Sequence, residues 1–270
     1  MAQLADLRTR VLTASIIAPA ALLCIWWGGA WWSGLMLLCV AGLAWEWVRL
    51  CGGAVTRLPG AWVPAFALLG AGLALAGWPW AGLIVVLLGA GLVHRLAAGL
   101  PGFWLAFGVF YIGVAGIALL ELRHDGAAGR GNVIFLFLVV WASDIGAYFT
   151  GRFLGGPKLA PAISPNKTWS GALGGVLGAM LVGVAAALAL GGGSSIMAIA
   201  AVALVLGLAS QSGDMFESWM KRRFGVKDSS ALLPGHGGLL DRLDGVLAAA
   251  PLAALIGLAA GPGMHVWRWV

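Results

Sequence analysis

The sequence predicts an all-α integral membrane protein, a polytopic helical bundle of about nine transmembrane helices with its N-terminus in the cytoplasm. Three observations predict it. Hydrophobic residues make up 61% of the chain and charged residues only 10%, whereas soluble domains carry roughly 25% charged residues; mean hydropathy is +0.97. Long stretches carry no charge: counting His as a break, they run 11–45, 58–93, 96–120, 168–213 and 245–264. Lys and Arg divide unevenly between alternate loops.

One crossing needs about 20 apolar residues, so windows 11–45, 58–93 and 168–213 are each long enough for two helices. Gly28-Gly29-Ala30, Gly77-Trp78-Pro79 and Gly191-Gly192-Gly193 mark the reversals inside them, because glycine and proline permit or force a turn. Windows 96–120 and 245–264 hold one helix each, and a ninth span at about 131–151 carries Asp144 within it. Helices are expected throughout, since a helix satisfies its own backbone in lipid. Arg8 and Arg10 before an apolar stretch have the look of a secretory signal. The stretch 11–27 is long for that, and another apolar segment follows after only a glycine turn, so a retained hairpin is expected.

Short cytoplasmic loops collect Lys and Arg. Nine crossings with the N-terminus inside leave only Arg123, Arg130 and Arg268 outside, which places thirteen of the sixteen basic residues in the cytoplasm. Loops 152–167 and 221–244 then share that compartment. The net charge of +6 lies beside the membrane, where anionic lipid is a nearer partner than nucleic acid, and no nucleic-acid motif is present.

Cys24, Cys39 and Cys51 lie in or beside apolar spans without paired metal spacing, which reads as packing. The tryptophans, Trp26, Trp27, Trp31 and Trp32 among them, fit an interfacial belt. With no internal repeat and no low-complexity linker, residues 1–270 read as one membrane domain, with N-terminal helices over 1–130 and a motif-bearing part over 131–270. Gly171, Gly175 and Gly174, Gly178 form overlapping G-x-x-x-G spacings, which let a neighbouring helix or a second subunit approach closely. With 43 glycines in the chain, such spacings also arise by chance.

The chemistry concentrates between Asp214 and Asp244. Half of the ten acidic residues, Asp214, Glu217, Asp228, Asp241 and Asp244, fall there with Lys221, Arg222, Arg223, Lys227 and Arg242. Asp144 stands about two turns before Arg152, and an ionisable group at membrane depth is a functional candidate because burying it unpaired is costly. Pairing with a basic residue is the structural alternative. Asp144, Asp214, Asp241 and Asp244 all map to cytoplasmic helix ends. Carboxylates without paired Cys or His suit a hard cation, and magnesium takes one or two carboxylates plus substrate phosphates. Lys167, Lys221, Arg222, Arg223, Lys227 and Arg242 suit phosphates. In Pro234-Gly235-His236-Gly237-Gly238, backbone N–H groups can approach a phosphate, and His236 stands among charged groups as a structural or a functional residue.

These residues carry a resemblance. Ser218, Lys221, Arg222, Lys227, Asp228, Ser230, Leu233, Pro234, His236, Gly237, Gly238, Leu239, Asp241, Arg242, Leu243 and Asp244 stand in the register of the signature S-x-x-K-R-x4-K-D-x-[GSA]-x2-[LIF]-[PGS]-x-H-G-G-[LIVMF]-x-D-R-[LIVMFT]-D. The sequence thereby resembles the phosphatidate cytidylyltransferases, or CDP-diglyceride synthases. Ser143 to Tyr148, Ser164 to Trp169 and Gly213-Asp214 are also similar to that family. The motifs cover about 141–244; the first half matches only as apolar helices.

The resemblance implies transfer of a cytidylyl group from CTP to phosphatidate, with a divalent cation, usually Mg2+, and it favours a homodimer. It implies catalytic roles for Asp214, Asp241, Lys167, Lys221, Arg222, His236 and Arg242. Ser164, Asn166, Lys167, Ser218, Lys227, Asp228, Gly237, Gly238 and Asp144 would meet substrate. Asp214, Asp241 and Asp244 would hold the metal, with Asp144 as an alternative helper. Two other readings predict different features. A secondary transporter would show repeated halves and a midplane site in broken helices. A CTP-dependent polyprenol kinase would share the nucleotide but not the full signature.

Overall fold

A computed structural model describes residues 2–97, 99–124, 126–191, 195–260 and 266. Among them are nine α-helices and one two-stranded hairpin, in the order α1 (Ala2–Trp27), α2 (Gly29–Leu50), α3 (Trp62–Leu75), α4 (Pro79–Leu96), α5 (Gly99–Leu122), α6 (Gly126–Leu154), β1 (Lys158–Ala160), β2 (Ser164–Thr168), α7 (Trp169–Ala189), α8 (Ile196–Arg223) and α9 (Leu240–Ala260). The reversals at Gly28 and at Gly77-Trp78 fall between helices as expected. At the third, Gly191 is described as a turn, and Gly192 and Gly193 lie outside the described residues.

Among the described residues seven helices are long and apolar enough to cross a membrane. The two shorter apolar stretches are Val11–Trp27 and Trp62–Leu75. At 14 residues and 1.5 Å per residue, α3 is about 21 Å long, short of the roughly 30 Å hydrocarbon core. Turns occupy residues 55–61 ahead of it, using up chain that the uncharged window 58–93 offered to a helix.

The chain divides into two compact units. One comprises Met1–Glu121 with Arg223–Leu243; the other comprises Leu122–Arg222 with Asp244–Val270. Nothing in the sequence marks Arg223–Leu243 as belonging with the N-terminal helices.

In the first unit, α3 and α4 meet backbone to backbone: a Cβ at Gly70 would lie 3.1 Å from the carbonyl oxygen of Gly82. Trp47 of α2 is fully buried against Gly108 of α5, and its indole N–H donates to the Trp104 carbonyl at 2.7 Å. A wide ring thus needs a residue without a side chain opposite it, and its polar edge needs an acceptor. Cys51 is buried, and burial pushes its thiol up to about 12, so it stays protonated and packs as a small apolar group.

In the second unit, the overlapping glycine spacings pack α7 on α6 of the same chain. A Cβ at Gly146 would lie 2.6 Å from the carbonyl oxygen of Gly174, and one at Gly178 would lie 2.8 Å from that of Ala142. Leu173, Leu177, Leu181 and Leu188 are exposed on α7. The helix thus buries its small residues and turns its leucines outward, the reverse of a soluble helix and the pattern lipid allows.

Candidate active site

In the second unit the site is built on a strand-to-helix turn. The antiparallel hairpin pairs Lys158 with Thr168 and Ala160 with Ser164. Thr168 then caps α7, its Oγ1 accepting from Gly171 N–H at 3.1 Å, which satisfies one of the free donors of a helix start. That cap fixes the preceding residue. Lys167 reaches Asp214 of α8, with Nζ 2.5 Å from Oδ2.

Both line a cavity of about 550 Å³, together with Asp144 and Arg152 of α6, Asn166 of β2 and Gln211 of α8. Gln211 holds the walls together: its Nε2 donates to Ser143 Oγ at 3.2 Å and to the Ala172 carbonyl at 3.1 Å. Ser143 is fully buried. Asp214, Asp244 and Lys167 all act electrostatically on Asp144 inside this unit.

The rest of α8 extends that cluster. Glu217, 2% exposed, lies 3.3 Å from Lys221 Nζ and shares a side-chain hydrogen bond with Asp244. Ser218 is half-buried. Arg222 is exposed, and its Nε donates to the Ile163 carbonyl in the hairpin turn at 3.4 Å. Ser164 is half-buried at the start of β2.

In the first unit, Arg223–Leu243 forms a loop closed on itself. Leu233 N–H donates to the Gly237 carbonyl and His236 N–H to the Leu233 carbonyl, each at 2.9 Å. Gly235 and Gly237, with φ of 76° and 82°, supply the left-handed backbone the turn requires. Asp241 is the hub: its Oδ2 accepts from Ser229 N–H at 3.0 Å, Ser229 Oγ at 2.9 Å and Gly238 N–H at 2.9 Å. Arg242 grips the His236 carbonyl with Nε at 2.9 Å and Nη2 at 2.7 Å. His236 Nδ1 is buried without a hydrogen-bond partner among the described residues. Lys227 and Asp228 are exposed. Gly238 is buried, with Ser229 Oγ and Glu46 Oε1 where a Cβ would go. Its N–H, which the sequence offered to a phosphate, is directed to Asp241.

Among the described residues no three His, Cys, Asp or Glu side chains converge as a ready metal cage. Two carboxylates, Asp144 and Asp214, do share the cavity with the Asn166 amide. That donor set fits a hard divalent cation, which takes one or two protein carboxylates and completes its shell with phosphates and water.

Sequence reasoning gave no site role to Gln211, Arg152, Thr168 or Glu217, although each lies in or beside a polar segment that it singled out. Glu217 had a legible signal, since it follows Asp214 by three residues on a helix and therefore shares its face.

Comparison with known proteins places this arrangement. Two matched relatives, from Brucella suis and Brucella abortus, are both named phosphatidate cytidylyltransferase; each is 44% identical over 268 residues, covering 94% of this chain and 94% of the relative. One from Staphylococcus epidermidis with the same name is 42% identical over 148 residues, 55% of this chain and 56% of the relative. The model of the cytidylyltransferase family matches residues 8–259, which takes in both the cavity and the Arg223–Leu243 loop, and the chain accordingly belongs to the cytidylyltransferase family.

Proposed function

We propose that the chain transfers the cytidylyl group of CTP to phosphatidate, forming CDP-diacylglycerol and pyrophosphate for phospholipid synthesis. A phosphate oxygen of phosphatidate forms the new bond to the α-phosphorus of CTP as the bond to the β-phosphate oxygen breaks. The carrying observation is the cavity walled by Asp144, Lys167 and Asp214, set on α6 and α8, two helices long and apolar enough to cross a membrane. A lipid headgroup and a water-soluble nucleotide can meet there. The names of the relatives support the same reading.

Both reactants are anions, so the work is positioning and charge stabilisation more than proton removal. Lys167 offers three donors and spends one on Asp214, which leaves it able to hold phosphate. Lys221 and Arg222 serve the phosphates alongside it, and Arg242 is the phosphate candidate of the first unit. Ser164, Asn166, Ser218, Lys227, Asp228, Gly237 and Gly238 shape substrate binding, and His236 stands by the glycine turn. In the second unit Asp214 would hold Mg2+ with Asp244 or with Asp144, where the ion would neutralise the triphosphate and the departing pyrophosphate; in the first unit Asp241 is the carboxylate proposed for metal.

The basic residues support a cytoplasmic face for the site and a cytoplasmic N-terminus. Bacterial relatives support the inner membrane, and a homodimer is the proposed assembly. The test is conversion of labelled CTP and phosphatidate by purified protein with Mg2+ or EDTA. Mg2+-dependent CDP-diacylglycerol and pyrophosphate are expected; no product from folded protein would overturn the reading.

A further inference from the structure

Glu46 lies on α2, far in sequence from every signature residue, yet its side chain is 0% exposed and its acceptors are filled by the signature loop. Ser230 Oγ donates to Oε1. Leu239 N–H donates to Oε1 at 2.8 Å and Leu240 N–H to Oε2 at 2.6 Å. These two amides open α9, where the first N–H groups have no acceptor within the helix and a negative charge meets the positive end of the helix dipole.

The fit is shaped as well as charged. A Cβ at Gly238 would lie 2.8 Å from Glu46 Oε1, and one at Gly42 would lie 3.1 Å from Leu239 and 3.5 Å from Leu232. Gly42 and Glu46 stand four residues apart on one face of α2, so the helix offers a notch for Leu232 and Leu239 and an anchor for Leu240. Ser230 ties the segment further, its Oγ accepting from Leu232 N–H at 2.9 Å. The residues that follow the anchored amides are Asp241 and Arg242, whose carboxylate and guanidinium hold Ser229, Gly238 and His236.

We infer that Glu46 is a positioning residue for cytidylyl transfer: it fixes the first turn of α9 and, through it, the setting of Asp241, Arg242 and the glycine turn. The inference rests on reading the 227–244 segment as part of the active site. Small displacements of reacting groups can cost roughly 100-fold in rate.

The test uses the full chain purified in detergent, with kcat and KM for CTP and amide exchange of peptides spanning 232–243. Glu46→Gln keeps the shape but turns an NH2 toward N–H donors. Its kcat should fall at least ~10-fold with KM near wild type, and exchange should accelerate in 232–243 while α6 to α8 stay protected. Glu46→Asp, which keeps the acceptors on a shorter stem, should recover part of kcat. Ser230→Ala, a milder change, should move both readouts the same way and covers the case in which Glu46→Gln does not fold. Unchanged exchange in 232–243, or a kcat loss matched by faster exchange everywhere, overturns the inference at Glu46 itself. Faster local exchange with wild-type kcat overturns it at the loop instead, and Asp241→Asn and Arg242→Ala would then also retain activity.

Discussion

At the scale of single residues, the Lys167–Asp214 pair decides most. Side chains exposed by 28% and 34% gain little stability from such a contact, typically 0–1 kcal/mol, so its placement in the cavity points to chemistry. Lys167→Met should lower kcat/KM for CTP by roughly 100-fold, a loss of about 2.7 kcal/mol in transition-state stabilisation, while the melting temperature moves by only a few degrees. Lys167→Arg should not rescue it, because a planar fork does not replace a point charge. Asp214→Asn should abolish turnover in protein that still folds, and near-normal activity would sink the metal assignment. Both residues were legible from sequence because charge is scarce there, although Asp214, expected at a helix end, lies inside α8, which runs on to Arg223, and Lys167 lies in β2. Glu46 was not legible in the same way. It ends the uncharged window 11–45 and so reads as a boundary, whereas its partners lie 184 to 194 residues further on.

At the scale of elements, glycine contacts set how closely helices approach. Thr150 occupies the space a Cβ at Gly174 would need, so Gly174→Ala should overpack the α6–α7 contact and destabilise the protein by about 1–3 kcal/mol. Gly72 of α3 has nothing within 4 Å of its added Cβ. There, Gly72→Ala should stabilise by about 0.5–1 kcal/mol, as alanine does within a helix. Thermal melts in detergent compare the two, and equal effects would refute the packing argument. The spacing that marks α7 was visible in the sequence. The Gly70–Gly82 contact was not, because its two residues lie on different helices and no fixed interval links them.

At the scale of the whole molecule, apolar windows and turns between them located the helices well, since lipid leaves the backbone few alternatives. The length of α3 and the membership of Arg223–Leu243 in the N-terminal unit were not legible, because turn geometry and tertiary contacts determine them. Orientation is testable in a chain freed of Cys24, Cys39 and Cys51. An impermeant maleimide on intact spheroplasts should label His124→Cys, and should label Lys227→Cys only after lysis; the reverse order would invert the topology. The buried acid on α2 finally bears on biosynthesis. At about 5–20 residues per second, Glu46 waits roughly ten to forty seconds after its own synthesis before the ribosome delivers Leu240, 194 residues later. A nascent chain interrupted before Ser230 therefore carries Glu46 in its second helix without the three donors, Ser230 Oγ and the Leu239 and Leu240 amides, that the finished chain supplies.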